Sequence, residues 1–366
     1  MVQFQFQKDR EVVANLTLIR LLLNREIARH DANCKSADCV AISELKMQAS
    51  GAASMNSPWD AEIEIPEELA RQLLDEQFPE FSDHSLSLLG EGWDNAAWQV
   101  GNDWVFRFPR RQFGADLIET EFAVVPAIVD RLTAPVSCPR RPGKPTANYP
   151  WPFAGYPLIS GVELCEAAPA ADRRLKLAEE LGSFLRSLHS VTAEEAMALG
   201  APRDTIGRLD ILKRSTQARE HLARATELGI IDSPARWEQL LDRLVPLCKP
   251  PVTDCLVHGD LYSRHVMVDS PNENSNGEAR LSGIIDWGDV HAGDPSADLA
   301  CAWSLFDAVG RRRLLERYGE VTDETLTLAR VRAISHSSVC TVYAREGNVP
   351  ALEQASKDAL EWLLED

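Results

Sequence analysis

From Cys255 to Trp287, a half of the chain that otherwise reads as helix turns strand-like, and no other stretch narrows the fold so far. It runs Cys255-Leu-Val-His-Gly-Asp-Leu-Tyr-Ser-Arg-His-Val-Met-Val-Asp269, then a loop rich in Asn, Pro and Gly, then Leu281-Ser-Gly-Ile-Ile-Asp-Trp-Gly-Asp289. Folding His265–Asp269 against Leu281–Asp286 as an antiparallel hairpin brings the start of one strand to the end of the other. His265 and Asp286 then lie side by side, with Asp260 on the loop just before. An Asp, a His and a second Asp meet at one end of a hairpin.

The rest of the chain sorts into a strand-rich and a helix-rich part. Short strand patterns at Ser85–Leu89, Ala97–Val100 and Trp104–Phe108 are separated by Gly and Asn/Asp. An acidic strand-like run ends at Ile65, and Pro66-Glu67-Glu68 suits a first helical turn. A helix from about Ala115 carries Leu117, Ile118, Phe122 and Val125 on one face and should kink or end at Pro126. A Pro-rich passage follows, and beyond Ala171 helices dominate: Leu175–Leu188, Ile211–Leu228 and Ala235–Leu247. The expected fold class is α+β, with a small β-rich first lobe over residues 55–157 and a larger helical second lobe over 158–366 that embeds the hairpin. Residues 1–54, rich in Ala, Ser, Asn and Cys without a sustained period, read as a poorly structured extension.

The hairpin residues suit phosphoryl transfer, which needs positioning and charge compensation more than covalent help. A carboxylate must orient and deprotonate the attacking hydroxyl, a role open to Asp260. A second must hold magnesium, which prefers carboxylate oxygen, and Asp286 suits that role. Singly, His258, Asp260 and Asp286 could equally cap turns. A zinc site from His258, Asp260 and His265 would draw all its ligands from one loop, with no Cys to close the shell.

The first part offers the other half of such a site. In Leu89-Gly90-Glu91-Gly92-Trp93-Asp94-Asn95, small residues allow backbone N–H groups to approach phosphate oxygens. On the next strand Trp104, Phe106 and Phe108 alternate with Val105 and Arg107, so one face is core and the other carries a cation. Glu121, on the following helix, could pair with Arg107.

His258-Gly-Asp260-Leu-Tyr-Ser-Arg-His265, then Ile285-Asp286-Trp287 and Asp294-Pro-Ser-Ala-Asp298, resembles the aminoglycoside phosphotransferase family, and by eye its macrolide 2'-phosphotransferases. The resemblance runs from about Leu86 to the C-terminus. It implies a protein-kinase-like two-lobed fold that passes phosphate from ATP or GTP, with Mg2+, to a substrate hydroxyl. By position it makes Asp260 the catalytic base and His265 and Asp286 the metal-site residues. Arg107 takes the place of the phosphate-binding lysine and Glu121 that of its partner. Pro157, Leu158 and Ile159 become the connector that meets the nucleobase, and Asp298, with His258, supports the catalytic loop. Two positions depart from many relatives, which have Asn where this chain has His265 and Lys where it has Arg107. The implied acceptor is a macrolide or aminoglycoside, and the alternatives are a metabolic alcohol, sugar or amino alcohol. A catalytically dead nucleotide-binding module is disfavoured by the presence of Asp260, Asp286 and Glu121.

Net charge decides only the partner class. With 38 basic and 56 acidic residues the chain carries −18, which repels nucleic acid and anionic membrane surfaces and is compatible with a cationic small molecule. The eight cysteines form no Cys-x-x-Cys pair, and free thiols in a cytoplasmic protein are expected.

Overall fold

A computed structural model describes residues 61–92, 94–269 and 278–365, so the expected extension over 1–54 and most of the hairpin loop lie outside the described residues. Helix α1 (Glu67–Gln77) starts directly after Pro66 and leads to strands β1 (Leu86–Glu91), β2 (Asn95–Val100) and β3 (Trp104–Pro109). Helix α2 (Gln112–Ile128) follows, and strands β4 (Arg141–Gly143) and β5 (Phe153–Pro157) complete an antiparallel sheet in the order β1-β2-β3-β5-β4. Residues 61–65 form no strand: the acidic run pairs with neither edge strand of the sheet, β1 or β4. Pro126 stands in the last turn of α2, which ends two residues later.

The alternation of β3 divides this sheet into two faces. Phe106 and Phe108 are fully buried on one, where their rings meet Phe78, Phe81 and Phe153 at centroid distances of 4.8–5.5 Å. Such tilted and stacked aromatic pairs add to the area they bury. Arg107 points the other way, toward α2, where Ile118 packs on Ala154 and Tyr156. That face carries the charge.

The second lobe begins with strand β6 (Val162–Glu163) and short helix α3 (Leu164–Ala167). Helices α4 (Leu175–Leu188), α5 (Ala193–Ala198), α6 (Ile211–Glu227) and α7 (Ala235–Leu244) follow. Then come β7 (Cys255–Val257), β8 (Val266–Val268), β9 (Leu281–Ile284) and β10 (His291–Gly293). The chain closes with α8 (Ser296–Leu299), α9 (Cys301–Ser304), α10 (Ala308–Tyr318), α11 (Asp323–Glu346) and α12 (Pro350–Trp362). Strands β8 and β9 pair antiparallel, as the spacing predicts, and β6 adds to the β8 edge. Trp287, just beyond β9, is fully buried and meets Phe184 of α4 edge-on, which roots the hairpin in the helical core. The observed architecture is the expected α+β arrangement of a β-rich lobe and a helical lobe. Ala300, Trp303 and Phe306 are core residues. All six cysteines among the described residues are free thiols, and no described helix is long and apolar enough to cross a membrane.

Between the lobes the chain passes over the hairpin at Gly161, whose φ is +113°. A Cβ there would stand 2.4 Å from the Val268 carbonyl oxygen, and that neighbour is backbone, which cannot step aside. Gly161→Ala is expected to lower stability by about 1–3 kcal/mol, through overpacking and backbone strain together. A urea midpoint equal to that of the wild type would contradict the close approach.

Candidate active site

The hairpin register carries the chemistry to one point. Val266 lies opposite Ile284, and the Ile285 N–H donates to the His265 carbonyl at 3.0 Å. His265 Nε2 is thereby 3.4 Å from Asp286 Oδ2, and its Nδ1 is 3.6 Å from Asp260 Oδ2. Nδ1 is also 2.7 Å from the Asp260 backbone carbonyl. A carbonyl can only accept, so Nδ1 carries a proton, and Nε2 is the ring nitrogen that faces Asp286. Asp286 itself has φ +64°, a left-handed conformation that aspartate tolerates better than most residues. This bend ends β9 and leaves the carboxylate half-exposed beside His265.

Arg107 joins the lobes. Its Nη1 donates to Glu121 Oε1 and its Nη2 to Asp286 Oδ1, each at 2.8 Å. The fork of a guanidinium permits this double engagement, where a lysine would offer a single point of charge. Glu121 is fully buried and also accepts from the Tyr156 hydroxyl at 2.6 Å. Burial pushes the Glu121 carboxyl up, and Arg107 and Tyr156 pull against it. For Asp286, burial also acts upward, but Arg107 and His265 win and hold it below the ordinary carboxylate value.

The loop bearing Asp260 is held from beneath. Asp298, fully buried on α8, accepts the His258 N–H at 2.7 Å and the Gly259 N–H at 2.8 Å. His189 Nε2 lies 3.2 Å from the same carboxylate, and His189 Nδ1 lies 2.9 Å from the Tyr318 hydroxyl. Burial would raise the Asp298 carboxyl; His189, His258 and the Gly259 N–H hold it low. His258 Nε2 is 3.0 Å from the Ile285 carbonyl and its Nδ1 accepts the Asp260 N–H at 3.3 Å, so one buried imidazole ties the loop to the residue before Asp286. Burial depresses its pKa and keeps it neutral. Gly259 adopts φ +86°, and a Cβ on it would stand 2.6 Å from the Asp289 carbonyl oxygen, so this loop admits only glycine there.

Of the other residues singled out, Gly90 lies on β1, where the pairing with β2 slips, and Gly92 follows in the turn. In the connector, Pro157 pairs with Trp104, and the Leu158 N–H donates to the Asp103 carbonyl at 2.7 Å. Ile159 packs over Gly283 of β9.

Several partners had no strong signal in the sequence. His336 of α11 places Nε2 3.2 Å from Asp260 Oδ1. Arg208 donates Nε–H to the Gly259 carbonyl at 3.1 Å and pairs with Asp204 and Asp289. The trace that could have exposed His336 is the run Arg332, His336, Cys340, three polar residues four apart on a helix with many buried apolar positions. Burial would raise the Asp260 carboxyl, but its hydrogen bond to His336 and the charges of His265, His336 and Arg332 hold it well below the usual range.

Asp286 offers the carboxylate oxygen that magnesium prefers, and the His265 nitrogen beside it suits a metal-bound water better than the ion itself. The two stand 3.4 Å apart, and magnesium commonly takes one or two carboxylates and completes its shell with phosphates and water. Among the described residues no group of three or more His, Cys, Asp or Glu side chains is placed to hold a metal ion.

A β-rich lobe over a helical lobe, with a carboxylate loop, an Asp-His pair and a bridging Arg-Glu pair converging between them, defines a kinase-like phosphotransferase that acts on a hydroxyl. The chain belongs to the phosphotransferase enzyme family, whose model matches residues 85–334. It is similar to the aminoglycoside 2'-phosphotransferase-IIIa solved as its GDP complex, at 25% identity and a TM-score of 0.58, over 82% of this chain and 99% of that one. A macrolide 2'-phosphotransferase type I shares the fold at 21% identity and a TM-score of 0.50, over 80% of this chain and 97% of that one. A viomycin phosphotransferase from Streptomyces vinaceus is 43% identical over 51 residues, which are 14% of this chain and 16% of that protein.

Asp298→Ala would leave two buried N–H groups without an acceptor and is expected to destabilise the protein by about 2–5 kcal/mol, read by chemical denaturation. His336 provides a pH test. Burial acts to lower its pKa, but Cys340 and Asp260 outweigh it and raise it from 6.5 to about 9. Its stabilisation is therefore complete below about pH 6.5 and lost as pH rises through about 9. The melting-temperature gap between wild type and His336→Asn should narrow across that window; a constant gap would show that His336 does not titrate there.

Proposed function

We propose that this protein transfers the γ-phosphate of a nucleoside triphosphate to a hydroxyl of a small molecule, at the cluster of Asp260, His265 and Asp286. The observation that carries this is the position of His265, within 3.6 Å of Asp260 on one edge and 3.4 Å of Asp286 on the other. One carboxylate can face an acceptor while the other faces the donor's phosphates.

In this reading Asp260 receives the acceptor hydroxyl. A carboxylate held so far below its ordinary value is a weak proton acceptor, so Asp260 acts first by orienting the oxygen for in-line attack and takes the proton late. Asp286 and His265 would hold magnesium, His265 directly or through a metal-bound water, and the ion would offset charge on the phosphates. The Asp286 oxygen now paired with Arg107 becomes available when phosphate gives Arg107 a second anionic partner, while Glu121 keeps the guanidinium in place. The strand and turn bearing Gly90 and Gly92 would cover the phosphates. Pro157 has no N–H and that of Leu158 is engaged by Asp103, so a base docking on the connector would find its donor at Ile159. The nucleotide-binding lobe is assigned to 55–157 and the acceptor-binding lobe to 158–366. The GDP complex of the aminoglycoside relative supports a nucleotide donor. Macrolides and aminoglycosides, the acceptor classes of the structural neighbours, stand beside metabolic alcohols, sugars and amino alcohols as acceptors to be compared.

Asp260→Asn should reduce acceptor phosphorylation by about 10²–10⁴-fold while the dissociation constant for ATP or GTP with magnesium stays within a few-fold of wild type. Mass spectrometry of the product and nucleotide titration read the two quantities separately. Turnover retained in Asp260→Asn would remove Asp260 from the reaction.

A further inference from the structure

Helix α11 presents Arg332, His336 and Cys340 one turn apart on a single face. The contact of His336 with Asp260 Oδ1 sets this face against the catalytic loop, on the side of Asp260 away from the oxygen that His265 approaches. Arg332 is only 9% exposed. Three other arginines are similarly buried, and each has partners: Arg174 on the carbonyls of Pro169 and Leu305, Arg208 on Asp204 and Asp289, Arg311 on those of Trp362 and Glu365. Among the described residues Arg332 has neither a hydrogen bond nor an ion pair, yet its nitrogens keep contact with solvent. A buried, unpaired guanidinium is among the least favourable groups a fold can keep.

The charges felt by Arg332 are Asp260, Cys340 and Asp204, which favour its cation, and Arg208, which opposes it; Arg214 in turn feels the repulsion of Arg332. Arg208 and Arg214 are already engaged, by carboxylates and by backbone carbonyls respectively. His336 and Arg332 thus set positive charge beside Asp260 on this side, although the whole chain carries −18. A guanidinium with no hydrogen-bonded anion of its own disfavours a polycationic acceptor and can take an anionic one.

We infer that Arg332 is the specificity-determining residue for an anionic acceptor: a hydroxylated carboxylic acid whose hydroxyl meets Asp260 while its carboxylate takes the open fork of Arg332. The inference rests on the phosphotransferase reading above. Four residues along a helix span about 6 Å, so the acceptor is the size of a sugar acid. An arginine fork matches a carboxylate with two parallel hydrogen bonds.

The test compares gluconate, sorbitol and glucamine, one six-carbon skeleton bearing a negative, a neutral and a positive group, with kanamycin as a polycation. Each is offered to the full chain with magnesium and ATP or GTP. Gluconate should be used with a kcat/KM about 10–100-fold above sorbitol, as expected for a charge-assisted hydrogen bond, and glucamine should fall below sorbitol. Arg332→Gln should abolish the difference between gluconate and sorbitol by raising the gluconate KM, and Arg332→Lys should restore part of it. If either variant raises the nucleotide KM instead, Arg332 serves the donor phosphates and the inference fails. It fails equally if glucamine or kanamycin is preferred, or if none of the four is phosphorylated while the wild type still binds nucleotide. Loss of nucleotide binding by the folded wild type would strike the phosphotransferase reading itself.

Discussion

The carboxylate of Asp298 is the anchor on which the site depends. The loop from His258 to Asp260 has left its strand and turns through a left-handed glycine, so its N–H groups have no neighbouring strand to pair with. Two of them go to Asp298, at 2.7 and 2.8 Å, in a position with no exposure to water. A buried carboxylate is itself unfavourable unless it is surrounded by donors, and His189, steadied by Tyr318, supplies a third. From there the constraint passes upward. His258 is fixed, its imidazole reaches the Ile285 carbonyl, and the distance between Asp260 and Asp286 is set by a neutral ring rather than by a flexible surface chain.

Two electrostatic regimes meet at Asp260. Toward the hairpin stands the carboxylate of Asp286, beside His265 Nε2, an environment suited to a cation. Toward α11, the partners are His336 and Arg332, an environment suited to an anion. The overall charge of the chain describes neither. Charges far apart on a surface are screened within about 10 Å, whereas side chains enclosed together act on one another at short range with little screening. The acidic exterior thus carries little information about what the interior prefers to bind.

The parts of this architecture legible in the sequence are those governed by short-range periodicity. Alternation in Trp104–Phe108 separated the core face from the face of Arg107, and the hairpin spacing placed His265 beside Asp286. The buried roles of Ala300, Trp303 and Phe306 followed from their shared helix face. What stayed hidden were polar contacts between distant segments. Asp260 meets His336 across 76 positions, and Arg107 meets Asp286 across 179. Period and composition show which way a side chain faces, but they do not say which atom of another element waits there. The acidic run before Pro66 failed for the opposite reason: its local pattern favours a strand, but a strand exists only where a partner pairs with it, and residues 61–65 pair with none.

The double grip of Arg107 has a consequence for the end of the reaction cycle. Asp286 is its inter-lobe partner, so on the proposed reading phosphates that enter would compete with a carboxylate at 2.8 Å. The same competition would operate in reverse once transfer is complete. A spent diphosphate would offer less negative charge than the triphosphate, and Asp286 would compete for the guanidinium more strongly. On that reading the pair is an internal leaving aid, an intramolecular ion pair that would re-form as the nucleotide departs. Arginine at this position, with one arm kept on Glu121 while the other changes partner, would make that exchange without ever being unpaired.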